Sequence, residues 1–509
     1  MFFRGGQLMR FLLILTILLL IIFVTNPGAS AAVVTTDEKW QSFDKEIAPR
    51  LEYFKTPGAA IAIVDNGKLV LCKGYGWRDI DQKLPVDENT CFQLASISKF
   101  VLALTAGALV DNGTLAWNNP AKCYYPQLNF SDSMVENKVT LTDLLSHQSG
   151  LKSFDGDDLT VFGYDKAEIL ARVKYLQLNN FRERAQYSNV GFLLAGAVVG
   201  GAYGSTWEQA VQDKLFEPLK MTDSTTHSTD SSFIAAHSDY AKPYSYDFCQ
   251  KTNLSVSMTN YDPLGPAGTM ASTANDMSKL LLMLTNGGSF DDRQIISPSS
   301  ITDVFTPTII NNYGGPDGFD HGNNCLGCNS FLFNNQTVVE KDGLLNGMCS
   351  VITLIPSTNS GIVILCNTDM IDFRGAVREL FLEYILGSTG KDLQKLNYFE
   401  PWREECGDTN SYQPPTTPAG AAPPPLALKD YCGTYQNDCY GAFAIAKTDG
   451  KLTVTAAHNK KTGYLVPQNG NRFIWFWPQN DDRFSMTFKV ENGKATAAYG
   501  EWLGILKKR

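Results

Sequence analysis

The sequence predicts an α+β domain, an antiparallel sheet with a helical region inserted between its strands, followed by a small all-β, barrel-like domain. Three observations lead there. A strand hairpin signal precedes a series of helical stretches and a second group of strands follows them, without the βαβ rhythm of a parallel sheet. A stretch with six prolines, Ser411–Pro425, then interrupts the globular pattern as a stiff, extended linker. Beyond it, Asp449-Gly450, Asn469-Gly470 and Asn492-Gly493 punctuate short alternating runs such as Lys451–Ala456 and Arg472–Trp477, the pattern of strands joined by tight turns.

Taken in order, residues 1–31 differ in kind from the rest. Arg4 and Arg10 precede an apolar run from Phe11 to Val24, and Pro27 and small residues follow. These are the parts of a secretory signal. Its fourteen residues would reach only about 21 Å as a helix, short of a ~30 Å hydrocarbon core. The expectation is export to the periplasm, the cell envelope or the medium; an uncleaved anchor, tying the N-terminus to a membrane, is the competing reading.

The main domain is expected over 38–395. It opens with an amphipathic helix over Lys39–Phe54, and a hairpin in which Ala59–Val64 and Lys68–Tyr75 flank Asp65-Asn66-Gly67. Ser98–Val110 is almost wholly apolar and stops at Asn112-Gly113, as a helix buried on every side would. Asp165 caps a helix over 166–176, Thr206-Trp-Glu-Gln209 forms a capping box, and Thr273 starts a helix that Asn286-Gly287-Gly288 ends. Strands over Thr337–Lys341, Met348–Pro356 and Gly361–Cys366 precede a helix over Phe373–Leu386. A linker over 407–426 leads to the β domain, 427–509.

The 43 basic and 52 acidic residues leave a net charge of −9 with no basic cluster, which excludes nucleic acid as an expected partner. Eleven cysteines suit an oxidising compartment; Cys432 and Cys439 are spaced for a local staple, and Cys325-Leu-Gly-Cys328 for a local disulfide or two buried thiols. No metal or cofactor motif occurs.

A Ser and a Lys at i and i+3 on a helix share one face, where the amine can take the hydroxyl proton and leave a nucleophile. Four such pairs occur: Ser42…Lys45, Ser96…Lys99, Ser149…Lys152 and Ser388…Lys391. Only Ser96 opens a buried apolar helix, whose terminal N–H groups favour developing negative charge and whose dry surroundings lower the pKa of Lys99. Tyr187-Ser188-Asn189 lies before a second apolar helix, Val190–Val199; its phenol can shuttle a proton and its amide can hold a carbonyl. A cation followed two residues later by Gly would complete the set, the charge for an anionic group and the Gly for close approach of the substrate. Lys461-Thr462-Gly463 matches literally but falls in the appended domain. Lys341-Asp342-Gly343 ends a strand of the main domain and is preferred. His147, in LLSHQSGL (144–151), is read as a structural hydrogen-bonder at a helix end.

FQLASISK (92–99), LTDLLSHQSGL (141–151), YSNVGF (187–192), FEPLKMTDS (216–224), GPAGTMAST (265–273) and EKDGLLNG (340–347), in this order, resemble the class C β-lactamase-like serine hydrolases, the S12 peptidase group, over about residues 45–390. The resemblance implies the serine β-lactamase/penicillin-binding fold. It also implies nucleophile Ser96, base Lys99 and proton relay Tyr187, with Asn189, Lys341 and Gly343 on the substrate. The oxyanion would lie between the backbone N–H groups of Ser96 and Leu344. Residues 427–507 resemble the lipocalin-like domain that often follows such hydrolases. Asp342 departs from the hydroxyl residue usual there, and Phe181–Gln186 from the usual Pro-Gly turn. The expected activity is hydrolysis of amide or peptide bonds in D-amino-acid peptides or β-lactam-like compounds, small-molecule or peptide substrates bearing a carboxylate. An esterase using the same residues and an inert ligand-binding envelope protein are the alternatives.

Overall fold

The computed structural model describes residues 32–237, 239–310, 320–388, 415–477, 482–500 and 503–509. The expected signal, the domain end at 389–395 and linker residues 407–414 lie outside these. Helix α1 (Glu38–Tyr53) is capped by the Asp37 carboxylate and buries Trp40, Phe43 and Ile47. Strands β1 (Gly58–Asp65) and β2 (Lys68–Asp79) form the expected hairpin. The helical region follows: α2 (Ile97–Asp111), α3 (Leu141–Leu145), α4 (Lys166–Arg172), α5 (Asn189–Tyr203), α6 (Trp207–Val211) and α7 (Ala274–Thr285). The chain then returns through β3 (Asn329–Phe333), β4 (Gln336–Leu345), β5 (Met348–Ile355) and β6 (Ser360–Cys366) to α8 (Asp372–Leu386).

These strands build the middle of a ten-stranded sheet in the order β2-β1-β6-β5-β4-β3, each neighbouring pair antiparallel. Every residue of β5 and β6 is buried, because helices cover both faces; such strands read as continuous apolar runs, without alternation. On one face α1 and α8 pack Trp40, Phe43, Phe373 and Phe381 against Ile61, Ile63, Ile362 and Ile364. The opposite face carries α2, α7 and the rest of the helical region in a second, larger core.

Three expectations change. The helix capped by Asp165 is α-helical only to Arg172 and ends in a 3-10 turn over Val173–Tyr175. Lys341-Asp342-Gly343 does not end its strand: β4 runs on to Leu345 and turns through Asn346-Gly347, with Gly347 at φ +74°. Cys432 and Cys439 are not joined, and Cys325 and Cys328 are buried thiols.

The C-terminal segment is a closed barrel of eight strands: β7 (Gly433–Asn437), β8 (Gly441–Thr448), β9 (Lys451–Ala456), β10 (Thr462–Asn469), β11 (Arg472–Trp477), β12 (Asp482–Glu491), β13 (Lys494–Gly500) and β14 (Gly504–Lys508). Closure removes the sheet edges. Trp475 and Trp477, 0% and 1% exposed, belong to its core.

One buried ion pair ties α8 to the sheet. Arg378 lies 3.0 Å from Glu340 Oε1 on β4, whose Oε2 accepts from Thr353 on β5 at 2.7 Å. Both charged side chains are less than a tenth exposed, and Arg378 also lies 3.2 Å from the buried Glu379, so removing the arginine takes a cation from two buried carboxylates. Arg378→Ala is expected to lower the unfolding free energy by about 3–5 kcal/mol, read from urea denaturation.

Candidate active site

Ser96 is the N-cap of α2, preceded by Ala95 at φ +50°, a left-handed conformation that costs a non-glycine residue about 1–2 kcal/mol. The turn is held by backbone bonds from Leu94 N–H to Met270 O and from Ser98 N–H to Ala95 O, and by Ser98 Oγ, which donates to Ala95 O and accepts from Met270 N–H. A Ser at an N-cap normally accepts from its own helix. Ser96 Oγ makes no such bond; it accepts instead from Tyr187 Oη at 2.7 Å and Lys99 Nζ at 3.1 Å.

Lys99 has no exposed surface. Its ammonium also donates to Ala267 O at 2.7 Å and lies 4.7 Å from the centre of the Tyr187 ring. Burial drives its pKa below the ordinary lysine value, and the Lys341 charge adds to the fall against the opposing pull of Tyr187. Tyr187 responds in a complementary way. Burial alone would raise its phenol, but the charges of Lys341 and Lys99 and its bonds to Lys99 and Ser96 outweigh that and leave it lowered. Lys99 and Tyr187 thus each act on the other's proton affinity.

His147 sits beneath this pair, not in it. It follows α3 at φ +64°, its Nδ1 accepts from Ser188 N–H at 3.1 Å, and its ring lies 4.5 Å from Tyr187. Burial and then the Lys99 and Lys341 charges press its pKa well down, so the neutral imidazole fixes the Tyr187–Asn189 turn. Ser188 caps α5 by accepting from Gly191 N–H.

On the opposite wall, β3 pairs with β4 only as far as Glu340. From Lys341 to Leu345 the strand has, among the described residues, a partner on the β5 side alone, which leaves an open edge at the cleft. Lys341 lies 5.4 Å from the Tyr187 ring centre. Burial would lower its pKa, but Tyr187 and Asp342 prevail and raise it, so the cation is kept. Asp342, half-exposed at the cleft, sits 3.2 Å from both Lys341 Nζ and Arg374 Nη2, and these cations outweigh its desolvation and hold its carboxyl far below the usual range. Gly343 faces away from the cleft. A Cβ there would come within 2.3 Å of Leu94 O and 2.9 Å of Ala95 Cβ. The glycine lets the sheet lie flush on the turn before Ser96, a correction to the expectation that it makes room for substrate.

The cleft, about 480 Å³, is lined by Ser96, Tyr187, Asn189, Lys341, Asp342 and Leu344, and also by Phe154, Asp157, Tyr261, Gly268 and Leu345. Lys461 is exposed on the barrel, its Nζ 5.7 Å from the Trp477 ring, and does not line it. Ser42 and Lys45 are exposed on α1. Asp157 was not foreseen. Asn189 Nδ2 donates to its Oδ2 at 2.6 Å, and burial pushes its carboxyl up to about 7 against the Asn189 bond and the Lys99 charge. The acidic run Asp155-Gly-Asp-Asp158 was its only signal, and such runs usually face solvent.

Comparisons with known proteins agree with this architecture. Residues 43–382 match the family described as Beta-lactamase, and residues 417–501 match a domain of unknown function, DUF3471. Unguisins hydrolase ungD' of Aspergillus campestris is 24% identical over 421 residues, 80% of this chain and 77% of that protein. Protein flp of Staphylococcus aureus is 24% identical over 335 residues, 65% of this chain and 64% of its own length. Among solved structures, the octameric penicillin-binding protein homologue from Pyrococcus abyssi aligns with a TM-score of 0.58 at 21% identity, covering 92% of this chain and 99% of that one. A class C beta-lactamase aligns at 0.57 and 20%, covering 70% and 99%. With Ser96 and Tyr187 gathered around a buried Lys99 at the cleft of a sheet-and-helix domain, and the family matched across most of the chain, the protein belongs to the beta-lactamase family, a family of serine hydrolases.

Proposed function

We propose that the protein is an exported S12-type hydrolase that forms an acyl-enzyme on Ser96 and cleaves amide or peptide bonds in small molecules or peptides bearing a carboxylate, D-amino-acid peptides or β-lactam-like compounds. The observation that carries this is the state of Ser96 Oγ: unused by its helix and within hydrogen-bond reach of both Tyr187 and Lys99. When the pair holds one proton between two basic atoms, the vacancy lies within 3.1 Å of Oγ on either atom. The Ser96 proton passes to it as Oγ attacks the carbonyl, and returns through Tyr187 to the leaving nitrogen. Water then repeats the sequence on the ester. Negative charge on the tetrahedral oxygen is taken by the backbone N–H groups of Ser96, at a helix terminus, and of Leu344, across the cleft. Lys341, charged at the open edge of β4, receives the carboxylate. Asn189 gives one Nδ2 hydrogen to Asp157, and its second N–H is left to hold a carbonyl of the substrate. The relative named as a hydrolase of unguisins is consistent with a hydrolytic reaction.

Intact-mass analysis after incubation with a fluorescent penicillin and with an active ester should give a single adduct on the wild type and none on Ser96→Ala. Labelling that persists in Ser96→Ala would refute the mechanism. Turnover of a β-lactam, a D-Ala-D-Ala peptide and a short-chain ester separates the amidase from the esterase, and no turnover of any would favour an inert binding protein.

The electrostatics give a second expectation. The Lys341 charge lowers the pKa of both Lys99 and Tyr187, so removing it raises both. For a neutral ester, the rising limb of the pH–rate profile should therefore move to higher pH in Lys341→Ala. With a carboxylate-bearing substrate, kcat/KM should also fall about 10–100-fold, the loss of one charged hydrogen bond worth about 1.5–3 kcal/mol. Lys461→Ala should change neither.

A further inference from the structure

The segment 154–164 has two working faces. Toward the cleft, Phe154 and Asp157 form part of the wall. Phe154 N–H donates to Tyr187 O at 2.9 Å, its ring lies 5.4 Å from the Tyr187 ring, and Asp157 receives Asn189 Nδ2. Toward the barrel, Phe162 is wholly buried, ringed by Tyr440, Phe443, Trp475, Trp477 and Phe484 at centroid distances of 5.1–6.0 Å. On either side of it, Val161 O accepts from Asn459 Nδ2 at 3.1 Å and Tyr164 Oη donates to Tyr440 O at 3.1 Å. The Tyr164 ring stacks on His458 at 4.0 Å. A one-turn helix, Asp158–Val161, joins the two faces.

We propose that Phe162, seated in the mouth of the barrel, is a positioning residue for the active site, holding Asp157 against Asn189 and Phe154 against Tyr187. The inference rests on the reading of Ser96 as the acylated residue. Asp157 is suited to depend on such an anchor. Its Oδ2 has the Asn189 bond, but its buried Oδ1 has no partner, so no second hydrogen bond fixes the carboxyl and its place follows the backbone. Only the four residues of the Asp158–Val161 helix separate it from Phe162, and the helical turn transmits a shift at one end to the other. The barrel is thereby a component of the catalytic apparatus, acting through one loop without supplying a group to the cleft.

The test is a double-mutant cycle on the full chain, read as the rate of Ser96 acylation by the active ester at saturating concentration, with half-saturating concentration and thermal unfolding recorded alongside. Phe162→Ala and Asp157→Ala should each slow maximal acylation by about 10–100-fold, the scale of a misplacement near 1 Å, with a smaller change in half-saturation. The double variant should be no slower than the worse single one within about twofold, because one effect runs through the other. Phe162→Leu should recover most of the rate. If Phe162→Ala does not fold, the cycle is run with Tyr164→Phe, which removes the bond to Tyr440 O; it should slow acylation and be non-additive with Asp157→Ala. A folded Phe162→Ala or Tyr164→Phe variant that acylates at the wild-type rate, or effects that multiply in the double variant, would overturn the inference. A wild type that takes no label on Ser96 would instead refute the mechanism on which it rests.

Discussion

The structure depends most on the burial of one amine. Lys99 sits in a helix whose residues from Ile97 to Leu109 are all buried, and an isolated ammonium in such a place costs several kcal/mol unless it is paired or loses its proton. The protein does part of each. Two of the three ammonium donors are met by Ala267 O and Ser96 Oγ, and the remaining charge is opposed by a phenol whose own pKa is drawn down. Lys99 and Tyr187 thus solve each other's desolvation, and the shared proton vacancy that results lies against Ser96. The setting of Ser96 thus follows from satisfying a buried lysine, which is why the lysine, the tyrosine and the helix beneath them are not separable features.

That arrangement requires neighbours able to approach a helix start at backbone distance. Two glycines provide the approach. A Cβ on Gly343 would strike Leu94 O, and one on Gly327, in the turn between Cys325 and Cys328, would lie 2.6 Å from Lys99 O. Ser350 Oγ donates to Leu94 O at 2.7 Å, which ties the sheet to the turn before Ser96 at backbone distance. The charge on β4 is managed in the same economical way. Asp342, which in sequence stands beside a supposed anion site, is held between Lys341 and Arg374, and Arg374 also donates to Gly343 O and Ser350 O. The acid sits inside a cationic cluster, and its negative charge is balanced locally.

Much of this was legible in the residues because it follows local rules. The hairpin signal at Asp65-Asn66-Gly67, the caps at Asp165, Thr206 and Thr273, and the unbroken apolar run of α2 each declare an element without reference to the rest of the fold. The same holds for choosing Ser96 among four Ser-x-x-Lys pairs, since only a fully buried helix gives the lysine its altered pKa. What was not legible depends on contacts distant in the chain. The continuation of β4 to Leu345 is set by pairing with Met348–Ile355, not by the polar Lys341-Asp342 pair, which resembles a strand end. The role of Gly343 needs Leu94, some 250 positions away in sequence, and Arg374 shows in sequence only as one charge on a helix. Asp157 looked like a member of a solvated acidic run.

The barrel illustrates the same division. Its strands could be counted from turn residues, but nothing local says where it docks. The physical reason for its place lies in the segment it touches. Between α3 and α5 the described elements are short: a four-residue helix, α4 of seven residues and a single 3-10 turn. A long connection of this kind cannot bury enough of its own apolar surface to be rigid, and such connections are where loops carry function. This one must nevertheless form a wall of the cleft. The hydrolase domain supplies one side through the Tyr187 and Asn189 contacts, and the aromatic end of the barrel supplies the other by enclosing Phe162. A second domain is thus an alternative to lengthening helices beside the active site: it lends a finished core to a segment that has none, while the cleft face stays free for polar groups that a packed helix would have to exclude.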